Sequence, residues 1–280
     1  INLHICAGNH DIYYNNTNEV NFVKELCKDK KNITINDTFC RTIYIDNKTI
    51  DLIPWINEYN KEEFLNYIKN SSSDYLMGHF SFNGFKTGVI TMTEGLDPVG
   101  LEKYKYVFSG HFHERQIQNN IHYIGSPYEM DFFDINLEKG FYILNTETNK
   151  IKFIKNDEKL FIKFYYDDEG KTSLKQICRD FSLFTDSYCK IIVKTKNSPS
   201  LFDSFKVSLF NSKPIDVDFD DIPMLSSDNE ILDFEEENFL KTLETYIEND
   251  YKENELKDEL KKYLSSLYVE VVDGTYLSKN

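Results

Sequence analysis

Three short apolar runs in this chain each empty into a turn that carries glycine and then histidine. Ile1-Asn2-Leu3-His4-Ile5-Cys6-Ala7 runs into Gly8-Asn9-His10-Asp11. Tyr75-Leu76-Met77 runs into Gly78-His79, and Tyr106-Val107-Phe108-Ser109 runs into Gly110-His111-Phe112-His113. Apolar runs of this length read as strands. Glycine lets the backbone turn sharply directly after them. In an α/β sheet, ligands collect at the carboxyl ends of the strands. Three separate strand ends therefore deliver imidazoles to one point, and neutral imidazole is a common metal ligand. His111 and His113 are two apart, so in extended backbone both face one side and can serve two adjacent metals.

The rest of the chain fits around these strands. Helical spacing of Val20, Phe22, Val23, Leu26 and Cys27 predicts a helix over 19–30. Strands are expected near 33–36, 42–45 and 49–53, a helix over 60–69, and further strands at 121–124 and 140–145. The expected fold class is a layered α/β domain over residues 1–152. A small α+β unit follows over 153–212, with strands at 160–165 and 188–194 and a helix over 173–181. Residues 213–235 hold Pro214, Pro223, Ser226, Ser227 and many Asp, the composition of an acidic linker. Residues 236–280 form a helical tail. Phe239, Leu243 and Tyr246 line one apolar stripe and Leu260 and Leu264 another.

Composition narrows the function. With 32 basic and 47 acidic residues in 280, the net charge is −15 and the pI about 4.9. That argues against a general affinity for nucleic acid or an anionic membrane, so any DNA contact has to come from a local site, a metal or a partner. The five cysteines are scattered and form no Cys-x-x-Cys pair, which points to a reducing, intracellular compartment. No run approaches the ~18 apolar residues of a membrane span.

The ordered set Gly8-Asn9-His10-Asp11, Gly78-His79 and Gly110-His111-Phe112-His113 resembles the second half of the calcineurin-like metallophosphoesterase signature. Ser109 to Glu114, followed by Ile124-Gly125-Ser126-Pro127-Tyr128, is similar to the SbcD-type DNA nucleases, and within them to the phage recombination endonuclease subunits. The resemblance implies a layered β-sandwich flanked by helices and a site of two divalent metal ions, manganese foremost. Asn9, His79 and His111 would hold one ion and His113 the other. His10 would contact the scissile phosphate and protonate the leaving oxygen, and Asp11 would orient His10. The substrate would be DNA. The partner would be an SbcC-like coiled-coil ATPase, docked on the tail through Phe239, Leu243, Tyr246, Leu260 and Leu264. A homodimer is implied as well.

The family's Asp-x-His and Gly-Asp-x-x-Asp motifs are not in the sequence. They supply the rest of the first shell and the carboxylate that bridges both ions. A chain that opens at Ile1 inside a strand pattern reads as truncated, holding at most one ion weakly and inactive alone. Two alternatives remain: another metallophosphoesterase acting on phosphoproteins or cyclic nucleotides, and a non-catalytic scaffold for the ATPase. Outside the set, His4 is expected to pack near the sheet, His122 to face out of a hairpin, Arg115 to be solvated, and Ser126-Pro127 to form a structural turn.

Overall fold

The computed structural model describes residues 1–14, 16–87, 90–93 and 95–221, and in the tail 260, 261, 263, 264 and 267. They fall into two compact units. One holds residues 1–125, 141–154 and the described tail residues; the other holds 126–140 and 155–221. The fold is mixed α/β, as the alternation of runs predicts.

In chain order the elements are β1 (Leu3–Cys6), β2 (Ile12–Tyr14), β3 (Thr17–Asn21), α1 (Phe22–Cys27), β4 (Ile33–Asn36), β5 (Arg41–Ile45), β6 (Lys48–Ile53), α2 (Lys61–Asn70), β7 (Tyr75–Gly78), β8 (Lys86–Thr87), β9 (Ile90–Thr91), β10 (Tyr106–Ser109), β11 (Gln116–Gln118), β12 (Ile121–Tyr123), β13 (Lys139–Asn145), β14 (Lys150–Asn156), β15 (Phe161–Asp167), α3 (Leu174–Ile177), β16 (Tyr188–Thr195), α4 (Pro199–Asn211) and β17 (Asp216–Asp221).

The first unit is built on a six-stranded sheet in the order β11-β12-β10-β7-β6-β5. Its four central strands, β12, β10, β7 and β6, run parallel. Their registers put Ile53, Leu76, Val107 and Ile121 on one face, where they join Phe64 and Ile68 of α2 and Phe80, Phe82, Phe85 and Tyr104 in the main core. Ile50, Leu52 and Tyr75 point to the other face, against Cys6 of β1, Tyr106 and Leu144. Central parallel strands are covered on both sides, so they read as continuous apolar runs. β1 pairs in parallel with β4 as a separate ribbon, Leu3 opposite Ile33 and Cys6 opposite Asn36.

One carboxylate is buried in this sheet. Asp51 accepts Oγ–H bonds from Thr42 and Ser73 at 2.7 Å and an O–H bond from Tyr104 at 3.0 Å. With the Tyr67 hydroxyl at 3.4 Å, these donors satisfy a charge that would otherwise be costly to bury.

The second unit is a parallel three-stranded sheet, β15-β16-β17. Parallel neighbours need crossovers; α3 with a 3₁₀ turn at Phe181–Phe184 supplies one and α4 the other. Tyr166, Phe184, Ile191, Val193, Phe205 and Leu209 form its core.

Several expectations shift. Residues 216–221 are strand β17, where an acidic linker from 213 was expected. Val217 and Phe219 pack on the core and Asp218 and Asp220 are exposed, so a period-2 strand is hidden inside an acidic composition. The rest of the expected linker, 222–235, lies outside the described residues. The helix predicted over 19–30 is shorter, because Thr17–Asn21 pairs as β3; Asn21 then caps α1, accepting the Lys24 N–H at 2.8 Å. The helix expected over 173–181 is reduced to Leu174–Ile177. The sequence reading assigns no element to α4, which opens with Pro199 at its first turn. In the tail, Leu260 and Leu264 are helical and half-buried, while Phe239, Leu243 and Tyr246 lie outside the described residues. No described helix is long and apolar enough to cross a membrane.

Candidate metal centre

The parallel strands all end on one edge, and their exits are tied to one another. The Trp55 N–H donates to Ala7 O at 2.8 Å, joining the exit of β1 to that of β6. The Gly110 N–H donates to Gly78 O at 3.0 Å, joining β10 to β7. Ser109 Oγ accepts the Phe80 N–H at 3.0 Å, and the Tyr123 hydroxyl donates to Phe80 O at 2.9 Å while accepting the Phe82 N–H. The backbone just after His79 is thereby pinned to the ends of β10 and β12.

The turn after β1 is closed at both ends. The Asp11 N–H donates to Gly8 O at 3.1 Å, and the Gly8 N–H donates to Asp11 Oδ2 at 2.7 Å. Asp11 thus fixes the shape of the turn that presents Asn9 and His10. His10 is exposed.

The His79 ring fills a slot between two glycines. A Cβ on Gly8 would come within 2.8 Å of its Cε1, and a Cβ on Gly110 within 2.9 Å of its Nδ1. Glycine is required here for close approach. His111 lies beside it with ring centroids 5.2 Å apart, and Trp55 faces both, 5.8 Å from His79 and 5.2 Å from His111. His111 has φ of 86°, a positive value that non-glycine residues rarely adopt and that persists only where the surroundings hold it. His79 Nε2 stands 2.9 Å from Asn9 Oδ1.

Burial pushes the His79 imidazole down to about 4, and the nearby His10 and His113 push it the same way. His111 falls well below the ordinary histidine value for the same reason, burial first and then His79, His10 and His113. Both rings are therefore neutral at physiological pH, the form in which imidazole ligates a metal.

These residues fit a divalent ion on three observations. The donor set of amide oxygen and imidazole nitrogen suits a borderline divalent metal. Two ligands about 2.1 Å from an octahedral ion stand roughly 3 Å apart, and Asn9 Oδ1 and His79 Nε2 are 2.9 Å apart. Asn9 Nδ2 is buried without a partner, a cost the turn bears while aiming Oδ1 at the site.

Two side chains outside the set depart from expectation. His122 is 5% exposed and packs against Tyr106 and Phe108 instead of facing out of a hairpin. Its strand is covered by the β13–β14 ribbon, which local sequence does not reveal. The Arg115 guanidinium lies 4.5 Å from the Phe153 ring centroid rather than in solvent. Sequence reasoning missed Trp55. Its one signal is that the chain's single tryptophan follows an apolar strand and a proline, Ile53-Pro54-Trp55.

A mixed α/β unit with an imidazole-rich centre at the carboxyl edge of its parallel strands defines a candidate metalloprotein. No family model matches the chain. It is similar to exonuclease subunit 1 of enterobacteria phage T4, 36% identical over 193 residues, which are 69% of this chain and 55% of that protein. It is also similar to the SbcD component of the SbcCD nuclease of Staphylococcus epidermidis, 28% identical over 116 residues, 39% of this chain and 31% of that protein. The chain is thus homologous to nuclease subunits of the SbcD type and close to the phage member, as its motifs predict. The matched stretches span about half and a third of these relatives' own length.

Proposed function

We propose that this chain carries metal ligands of a nuclease subunit that hydrolyses DNA phosphodiesters. The observation that carries the reading is the meeting of Asn9, His79 and His111, from three strand ends, in a chain homologous to two nuclease subunits. The fold is read as the layered metallophosphoesterase sandwich with a small cap over 153–212.

Asn9, His79 and His111 hold one divalent ion, manganese foremost, and His113 contributes to a second. When bound, such a pair supplies a hydroxide nucleophile and clamps the phosphoryl oxygens. His10, exposed beside these ligands, contacts the scissile phosphate and gives its proton to the leaving oxygen. Asp11 holds the turn from which Asn9 and His10 project, through Gly8.

The subunit works inside the cell beside an SbcC-like coiled-coil ATPase, which docks on the apolar stripes of the 236–280 tail, and it pairs with a second copy of itself. Replacing His79 or His111 with Ala in the protein that carries this sequence is expected to abolish manganese-dependent cleavage of duplex DNA. Cleavage of a nucleotide monoester with none of DNA would overturn the nuclease reading in favour of another phosphoesterase.

A further inference from the structure

Imidazole rings turn easily about χ2, which is a broad torsion. A ligating histidine is normally fixed by donating its second N–H to a carboxylate or a carbonyl. His79 lacks that device. The only hydrogen bond the described residues give it is the Nε2 contact to Asn9 Oδ1. Apart from that contact its ring is held by packing: the two glycines on its flanks, His111, and Trp55 in a T-shaped contact at an interplanar angle of 70°.

Trp55 is itself rigidly mounted, and through its backbone. Its N–H is bound by Ala7 O, and its carbonyl accepts two side-chain amides, Asn18 Nδ2 at 2.9 Å and Asn60 Nδ2 at 3.1 Å. Asn18 is in turn held by Asn57, whose Nδ2 donates to Asn18 Oδ1 at 3.0 Å, and it donates to Asp37 O at 2.9 Å. A carboxamide network drawn from separate segments therefore fixes one indole beside two imidazoles. None of those bonds uses the indole, so the ring can be exchanged without releasing the backbone.

We infer that Trp55 is the positioning residue of the metal centre. Its indole sets the ring orientation of His79, the task that a hydrogen-bonded carboxylate performs elsewhere. The inference rests on the metal-centre reading above, and the test separates the two.

The test is a manganese titration of the 280-residue chain, followed by electron paramagnetic resonance of free Mn²⁺ and by tryptophan emission, which reports Trp55 alone. Bound Mn²⁺ is expected to quench that emission. Trp55→Phe is expected to bind within about threefold of the native chain, and Trp55→Ala about 10–100-fold more weakly, the range for losing an outer-shell partner. Circular dichroism checks that each variant folds. If Trp55→Ala does not, Trp55→Leu, which keeps apolar bulk without an aromatic edge, is expected to show the same loss. Native-like affinity in Trp55→Ala or Trp55→Leu overturns the inference, as does Mn²⁺ binding that leaves the emission unchanged. A native chain that binds no Mn²⁺ overturns the metal-centre reading itself.

Discussion

His79 Nε2 lies 2.9 Å from Asn9 Oδ1, although 70 positions of sequence separate the two residues. An imidazole lone pair and an amide oxygen this close repel unless something positive joins them. A proton on Nε2 does so, and so does a cation that takes both as ligands. The contact is available because β1 and β7 end on the same edge and because neither glycine beside the ring carries a Cβ.

The glycines are required by the ring between them. Gly8→Ala or Gly110→Ala would place a methyl group within 2.8–2.9 Å of His79. The flexible side chain yields rather than the sheet. Manganese affinity is expected to fall at least about tenfold with little change in the thermal midpoint. Unchanged affinity in both variants, measured by calorimetry, would show that His79 does not ligate from this slot.

Asp51 is a stability residue with no part in the site. Asp51→Ala removes the acceptor of the Ser73, Thr42 and Tyr104 hydroxyls, leaving Thr42 the Tyr67 hydroxyl and Tyr104 the Ile68 carbonyl. Leaving buried donors unpaired costs about 1–3 kcal/mol, so a loss of about 3 kcal/mol in urea unfolding is expected. A loss under about 1 kcal/mol would mean that water or rearrangement satisfies these donors.

Asp168 makes the second unit acid-sensitive. Burial alone would raise its carboxyl, but the Asn197 and Ser198 N–H groups at 2.8 Å and the Tyr166 hydroxyl outweigh that and hold it below the ordinary value. A depressed folded-state value stabilises above the unfolded value of about 3.9 and is lost as pH falls through the folded one. Asp168→Asn should therefore cost about 2 kcal/mol at pH 7, with the difference from the native chain shrinking towards pH 3. A difference that stays constant or grows in acid contradicts the assignment.

His10 should separate chemistry from binding. In the protein that carries this sequence, His10→Ala is expected to slow DNA cleavage by about 10²–10⁴-fold, the usual worth of a general acid, while manganese affinity holds. Near-normal cleavage would refute the proton-donor role.

The sequence shows the Asn9–His79–His111 cluster better than it shows the fold around it. Glycine-histidine turns after apolar runs are local signals, and the structure puts Asn9 against His79 and His79 beside His111. The misses share a cause. Strand β17 is acidic on its exposed face, and only pairing with β16 reveals its apolar one. His122 looks like a hairpin surface residue until Tyr106, Phe108 and Tyr142 surround it. Trp55 carries no motif, and its meaning comes from a distance to two rings.

The sequence by itself determined which residues can ligate, because residue type and turn chemistry are local properties. It also determined the apolar runs that must become buried strands, because continuous hydrophobicity has few other outlets. Only the tertiary structure decided the rest. Parallel registers set which strand exits coincide. Close packing dictated that Gly8 and Gly110 flank His79, and the amides of Asn18 and Asn60 decided where Trp55 stands. Each of these depends on residues far apart in the chain meeting at a fixed distance, and no local pattern encodes a distance.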